Sequence, residues 1–259
     1  MKITAIVTTR NEIEYIPTLV KYLTQEEIDC VFVDNESTDG TRQYLSHIGA
    51  SYETLPCNGA FDLSAQLRCK ANIINGLETD WIIHHDADEI MHDSKGWGGL
   101  RAAIERADAN GSNCLNFDEL VILPDTPTGN PFSPILHRNY YFFEPHPQRL
   151  MRAFRQKSNL SNFSTGGHVL KGDMGVKVDP QTMILRHYIV RSQKHAIQKY
   201  VGRTFSNEDL DRGWHGNRTV INDDNIKIPL SHPNLSKLPF PFDPDTVLEK
   251  PVKTHFWQW

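Results

Sequence analysis

The chain has 259 residues, with 27 Lys and Arg against 32 Asp and Glu, a formal net charge of −5. That length fits one large α/β domain with a C-terminal elaboration and leaves ample room for a core. The acidic balance supplies no positive field for a nucleic-acid partner, and no apolar run approaches the ~20 residues that a membrane-spanning helix needs.

Ile3 to Thr8 is a short, β-rich apolar run, followed by Thr9-Arg10-Asn11-Glu12 and an amphipathic segment from Ile13 to Leu23, so strand, loop and helix are expected. A second strand, Cys30-Val31-Phe32-Val33, runs into Asp34-Asn35-Glu36-Ser37-Thr38-Asp39-Gly40-Thr41 and enters a helix with good cap chemistry. A third strand fits 50–54 and a helix fits 63–76. That helix leads into Trp81-Ile82-Ile83-His84-His85, an apolar run of strand length that ends on Asp86-Ala87-Asp88. Two carboxylates one residue apart at a strand end can reach a single hard divalent cation, and a cation placed this way usually carries a phosphorylated substrate. The plainer alternative is a polar strand end that caps the next helix. Alternation of strands with helices implies a parallel sheet that gathers ligands beyond the carboxyl ends of its strands.

A helix is expected over 98–109 and a strand over 113–123, the latter carrying Asp118 and Glu119, only one of which can face a cleft. Residues 124–147 hold too many breakers for a regular element and read as a functional loop. Its aromatics Phe132, Tyr140, Tyr141, Phe142 and Phe143 are candidates to stack on a ligand face, with core burial as the alternative. In Gln148 to Arg155 the pattern does not separate strand from helix; Arg149 or Arg152 turned inward would neutralise a diphosphate, and a solvated basic face is the default. Gly166-Gly167-His168 allows close backbone approach to a ligand. Ser192 caps a helical stretch in which Lys199 and Arg203, four apart, share a face.

Thr8-Thr9-Arg10-Asn11-Glu12, then Val33 to Thr41, then Asp86-Ala87-Asp88, in that order and spacing, resemble the nucleotide-sugar half of a family 2 glycosyltransferase with the glycosyltransferase-A (GT-A) fold, across roughly the first hundred residues. The resemblance implies a mixed, mainly parallel sheet flanked by helices, and a metal-dependent enzyme that inverts the anomeric centre while moving a sugar from a nucleoside diphosphate to a glycan or lipid-linked acceptor. It implies that the first strand end, Thr8, Thr9, Arg10, Asn11 and Glu12, and the cluster at Asp34 and Asn35 hold the nucleoside, and that Asp86 and Asp88 hold the cation on the diphosphate; Arg68, Ala87, Arg149, Lys199 and Arg203 are further donor-binding candidates. A histidine from the second half then completes the metal shell, His187 ahead of His168, and an imidazole ligand favours Mn²⁺ over Mg²⁺. Many relatives carry two aspartates where this chain has Asp34-Asn35. Asparagine adds a donor, so UDP is the default nucleotide with the base left open.

The general base is expected at Glu119 before Asp118, with Asp173 and Glu144 open. His168, Tyr141, Trp214 and His215 fall on the acceptor side, and the region from Met183 to Arg218 looks more loosely like bacterial relatives that build surface polysaccharides. The expected organisation is 1–112 for the donor half, 113–220 for the acceptor half and 221–259 for a tail. The tail aromatics, Phe240, Phe242, Phe256, Trp257 and Trp259, suggest docking on a membrane or glycan surface, against folding back onto the domain or packing on a second copy. Cys30, Cys57, Cys69 and Cys114 show no C-x-x-C pair and no signal peptide is visible, which suggests reduced thiols in a cytoplasmic protein, peripheral to the inner membrane face at most. Two other classes remain open: a His-Asp metal phosphohydrolase built on His84-His85-Asp86, and a nucleotide-sugar or glycan-binding module without turnover.

Overall fold

The computed structural model describes residues 1–95, 98–125, 139–143, 149–173, 175–239 and 241–259. In chain order the elements are β1 (Ile3–Thr9), α1 (Ile16–Gln25), β2 (Asp29–Asp34), α2 (Thr41–His47), β3 (Ser51–Thr54), α3 (Leu63–Gly76), β4 (Trp81–Asp86), β5 (Glu89–His92) and α4 (Leu100–Ala109). There follow β6 (Cys114–Leu123), β7 (Asn139–Phe143), β8 (Leu150–Arg155), β9 (Met183–His187), α5 (Gln193–Tyr200), α6 (Asn207–Asp211), β10 (Ser236–Lys237), α7 (Pro244–Val247) and β11 (Pro251–Val252).

The strands join one mixed sheet in the order β10-β7-β6-β8-β4-β1-β2-β3. From β4 to β3 every pairing is parallel, with Thr8 level with Asp86 and Thr9 level with Asp34, so the polar ends of three strands come out on one edge. These strands are apolar along nearly their whole length because helices cover both faces of a parallel sheet; Ile3, Ala5, Ile6 and Val7 are all buried. The other side is antiparallel: β8 pairs with β4 and β6, and β7 with β6. The register of β6 on β8 shifts between Leu115 and Phe117, and beyond the shift β6 runs parallel to β9.

β7 corrects the expectation of an irregular loop over 124–147. Asn139–Phe143 is a buried strand, because its run of aromatics fits a pleated surface covered on both faces. Phe132 and Glu144 lie outside the described residues. Gln148 to Arg155 resolves as the strand β8, with Arg149 just before it.

The tail packs on its own domain. β11 pairs parallel with β7 and β10 pairs antiparallel with it, while Phe256 and Trp257 are 3% and 4% exposed in a core shared with Val121, Tyr141 and Ile189. Trp259 stacks on His232 at 4.4 Å. Phe256 and Trp257 thus follow the folding-back alternative, buried within their own domain, while Phe240 lies outside the described residues. No described helix is long and apolar enough to cross a membrane.

Candidate active site

A cleft of about 940 Å³ opens beyond the carboxyl ends of β1 and β4. One wall is the loop from Thr8 to Glu12, a second is Asp86-Ala87-Asp88, and the roof comes from 59–61, α5 and the segment 201–218. On the far side stand Glu119, Phe143, Arg149, His168 and His255.

Asp88 and His187 meet because β5, which comes directly after the Asp88 turn, pairs antiparallel with β9, level at Glu89 and His187. His187 Nε2 stands 3.5 Å from Asp88 Oδ2, and its Nδ1 is 2.7 Å from Glu119 Oε1. Arg149 donates to the other Glu119 oxygen at 2.9 Å. Lys199 donates to the same oxygen, Asp88 Oδ2, at 2.7 Å and lies 3.6 Å from Glu12. Six charged groups thus run in line from Arg149 to Glu12. Burial works against the imidazolium, yet Asp88 and Glu119 push the His187 pKa well above its ordinary value. Burial likewise opposes the Lys199 ammonium, and Asp88 and Glu12 raise its pKa. Burial pushes the Glu12 carboxyl up to about 7, with Lys199 only partly offsetting it.

Asp86 is anchored differently. Thr8 donates to Oδ1 at 2.7 Å, Arg152 reaches Oδ2 at 3.4 Å, and Lys70 Nζ lies 3.9 Å from Oδ1. Burial alone would raise the Asp86 pKa; Arg152 and Lys70 hold it well below the usual carboxylate range. Arg152 also binds Glu89 at 3.0 Å. Lys70 is 2% exposed, and burial draws its pKa down to about 8.

The described residues hold no group of three His, Cys, Asp or Glu that could bind a metal ion unaided. Asp88 and His187 nevertheless fit an ion that shares its shell with substrate oxygens, the usual arrangement where one or two carboxylates work with phosphates. The Nδ1 contact to Glu119 leaves Nε2 turned toward Asp88, as for a ligating imidazole oriented by a carboxylate.

The other expected residues divide by position. Thr8, Thr9, Arg10, Asn11, Glu12, Asp86, Ala87, Asp88, Glu119, Arg149, His168, His187, Lys199, Arg203, Trp214 and His215 all line the cleft. Asp34 and Asn35 do not; they are buried beneath the β2 end, where Asp34 Oδ2 accepts from Ser37 N at 3.1 Å and Asn35 Nδ2 donates to Leu55 O at 3.0 Å. In their place Asp39 and the segment 59–61 face the cleft. Arg68 points away, 59% exposed and bound to Glu208 at 2.8 Å. Tyr141 is core, with its hydroxyl 2.9 Å from His255 Nδ1. Asp118 and Asp173 do not line the cleft, and Asp173 is exposed. Glu119 is in the cleft but poorly made for a base. Burial would raise its pKa, whereas Arg149 and the His187 contact hold it well below the carboxylate range, so it has little affinity for a proton. Glu119 bridges Arg149 and His187.

Lys70 and Glu89 received no site role from the sequence, and Arg152, one of the two arginines expected to turn inward, is buried on Asp86 and Glu89. For Lys70 a signal existed, since Leu63, Leu67, Lys70 and Ile74 recur at helical spacing and put the lysine on the inward face of α3. His84 and His85 do not form a phosphohydrolase centre. Neighbours on a strand point to opposite faces; the His84 ring meets Asn162 at 3.3 Å, and His85 Nδ1 is 2.7 Å from the carbonyl of Asp86. Gly167, at φ +84°, packs so closely on the His84 ring that an added Cβ would come within 2.6 Å of it.

The model of Glycosyl transferase family 2 matches residues 4–189, which takes in β1, the Asp86-Ala87-Asp88 turn and His187. The chain belongs to glycosyl transferase family 2. Its sheet, parallel on the donor side and antiparallel on the other, is the GT-A arrangement. Among solved structures, S. aureus TarS is 16% identical, with 89% of this chain and 46% of that one covered at a TM-score of 0.46. TarS 1-349 in complex with UDP-GlcNAc is 15% identical, covering 89% and 77% at 0.44. Glucosyl-3-phosphoglycerate synthase from Mycobacterium tuberculosis, in complex with Mn²⁺, UDP-Glc and phosphoglyceric acid, is 15% identical, covering 46% and 44% at 0.35. The chain therefore spans about half the length of full TarS. A search of curated proteins gave no match.

Proposed function

We propose that this protein is a metal-dependent glycosyltransferase that moves a sugar from a nucleoside diphosphate to a hydroxyl acceptor with inversion. The observation that carries this reading is the pairing of Asp88 with a carboxylate-oriented His187 in a cleft whose other wall is the Thr8–Glu12 loop. Thr9, Arg10, Asn11 and Asp39 form the nucleoside end. Asp88 and His187 would hold the divalent ion, which when bound would stabilise charge on the leaving diphosphate. The imidazole favours manganese. Lys199 and Arg203 add positive charge on the diphosphate side, and Lys70 and Arg152 keep Asp86 ionised and in place. The acceptor enters past Phe143, Arg149 and His168, across the cleft from the Thr8–Glu12 wall, which suits single displacement from the face opposite the leaving group.

The test is release of nucleoside diphosphate from a panel of UDP-, GDP- and TDP-sugars with and without Mn²⁺, in the wild type and in Asp88→Asn. Sugar-nucleotide-dependent release that needs Mn²⁺ and drops about 10³-fold in the variant is expected. Phosphomonoester hydrolysis without a sugar nucleotide would instead make the protein a phosphohydrolase, and tight binding without release would make it a binding module. An undiminished Asp88→Asn enzyme would remove Asp88 from the metal site.

A further inference from the structure

The family match ends at residue 189, yet His255, in the tail, lines the cleft. The residue is 6% exposed, and its ring is held on every side but one. Phe143 stacks on it with centroids 4.0 Å apart and Trp257 with centroids 4.4 Å apart. Two rings this close cannot share one face, so both faces are closed. Nδ1 lies 2.9 Å from the Tyr141 hydroxyl. The backbone is tied as well, with the His255 N–H bonded to Gln258 Oε1 at 3.1 Å and the Gln258 N–H to the His255 carbonyl at 2.8 Å. What is left is the Nε2 edge, which hydrogen-bonds no described residue and is the part that can face the cleft.

The surroundings also fix which nitrogen carries the proton. The Tyr141 oxygen takes a hydrogen bond from the Phe256 backbone, which leaves the phenol proton for Nδ1 and the imidazole proton on Nε2. Burial draws the His255 pKa down to about 3, so the ring is neutral and too weak a proton acceptor for a general base. It offers the cleft one N–H donor in a fixed direction.

The sheet places this donor. Phe143 is level with Glu119, which holds His187, so the line of charged groups from Glu12 through Asp88 and His187 ends one strand from the ring that His255 stacks on. Along β7-β6-β8-β4-β1 the strand carrying Phe143 is roughly 19 Å from β1, at ~4.8 Å per strand. His255 therefore stands past the Asp88–His187 pair as seen from the Thr8–Glu12 wall, out of reach of a nucleoside held there.

We propose that His255 is an acceptor-binding residue whose Nε2–H donates to a hydroxyl next to the one that attacks, so that the acceptor is a sugar or polyol with neighbouring hydroxyls. A donor on the attacking oxygen itself would lower its nucleophilicity, which is why the neighbouring hydroxyl is the partner. This rests on the glycosyltransferase reading and assigns a contact to its second substrate from outside the family-matched part of the chain.

Calorimetry first finds which of UDP-glucose, UDP-N-acetylglucosamine and GDP-mannose binds the full chain with Mn²⁺. Transfer from that donor to methyl β-glucoside, ribitol and 2-propanol is then followed by mass spectrometry. Transfer to at least one of the two polyhydroxy probes and none to 2-propanol is expected. His255→Phe, which keeps a stacking ring, should raise the KM of that probe about tenfold, the worth of one hydrogen bond in a desolvated site. His255→Gln, whose amide N–H falls near the place of Nε2, should keep part of the affinity. Both variants should bind the sugar nucleotide as the wild type does, with melting temperatures confirming that they fold. An unchanged acceptor KM in His255→Phe overturns the proposal, as does a His255→Gln protein as impaired as His255→Phe, because packing rather than a hydrogen bond would then be at work. Equal loss of sugar-nucleotide affinity, equal use of 2-propanol, or refusal of both polyhydroxy probes overturns it too. Failure of every sugar nucleotide to bind with Mn²⁺ strikes the glycosyltransferase reading itself, and is seen before any acceptor probe is added.

Discussion

The two sides of the cleft are built on different rules. On the proposed donor side Thr8 and Thr9 end β1 and Asp86 ends β4, so parallel register alone brings these three to one edge. On the other side the functional groups sit within or next to strands and helices, at Glu119 in β6, Arg152 in β8, His187 in β9 and Lys199 in α5, and ion pairs between elements set their positions. Backbone topology specifies the first wall and side-chain electrostatics the second. Mutations that spare the fold should therefore disturb the second wall far more than the first.

The largest effect is expected from Arg152→Leu, which leaves Glu89 buried without its partner and loosens Asp86. Loss of one member of a buried pair costs about 3–5 kcal/mol, read as a shift in the urea midpoint. The double variant Arg152→Leu with Glu89→Leu should recover most of that loss. If the double variant is as unstable as the single one, packing rather than charge holds β8 to β5.

Glu119→Gln sharpens the comparison at the ion itself. As a positioning residue, Glu119 should lower Mn²⁺ affinity about 10–100-fold when changed, with the residual turnover recovered at high Mn²⁺. A general base would instead lose kcat at every Mn²⁺ concentration and leave the affinity alone.

Asn35→Asp probes the first wall. The Asn35 amide donates to Leu55 O, so an acceptor in its place should cost about 1–3 kcal/mol of stability without changing the ranking among nucleotides. A changed ranking at unchanged stability would bring Asn35 back to the base.

Much of the donor wall was legible in the sequence. α3 runs from Leu63 to Gly76 as the pattern indicated, and β1, β2 and β4 fall on their apolar runs, because helix and strand periodicity survive wherever both faces of a sheet are covered. β7 was hidden by the breakers around it. The β5–β9 pairing, which brings His187 to Asp88, depends on contacts nearly a hundred residues apart and leaves no local trace. The Asp34-Asn35 pair misled for a related reason: a polar strand end looks the same whether it faces a ligand or bonds to the next loop. Glu119 lines the cleft as its place on β6 indicated, while its partners Arg149 and His187 come from other elements and leave no local trace.

A further effect, spread over many residues, is with pH. Burial holds His84 well below its ordinary value, His85 near 4, and His168, His195 and His255 near 3. The unfolded chain takes up these protons from about pH 6.5 downward while the native state does not, so stability falls on acidification. Glu12 and Glu89, both raised to about 7 by burial, act oppositely: their contribution is complete below about 4.5 and is lost as pH rises through 7. A shallow decline from 6.5 to 4.5 and a steeper one below it are expected in thermal melts. A profile flat to pH 4 would mean that these rings are hydrated.

The Lys199 ammonium on Asp88 has a thermodynamic consequence. An ion arriving alone must displace that ammonium from its carboxylate, and a diphosphate arriving alone finds the ammonium already committed. Were both to bind as proposed, Asp88 would be free for the ion and the Lys199 ammonium for the phosphate oxygens, so each ligand would lower the free energy of binding the other by the same amount. On the proposed function, metal and nucleotide are therefore expected to bind with mutual positive cooperativity, the response of a coincidence detector.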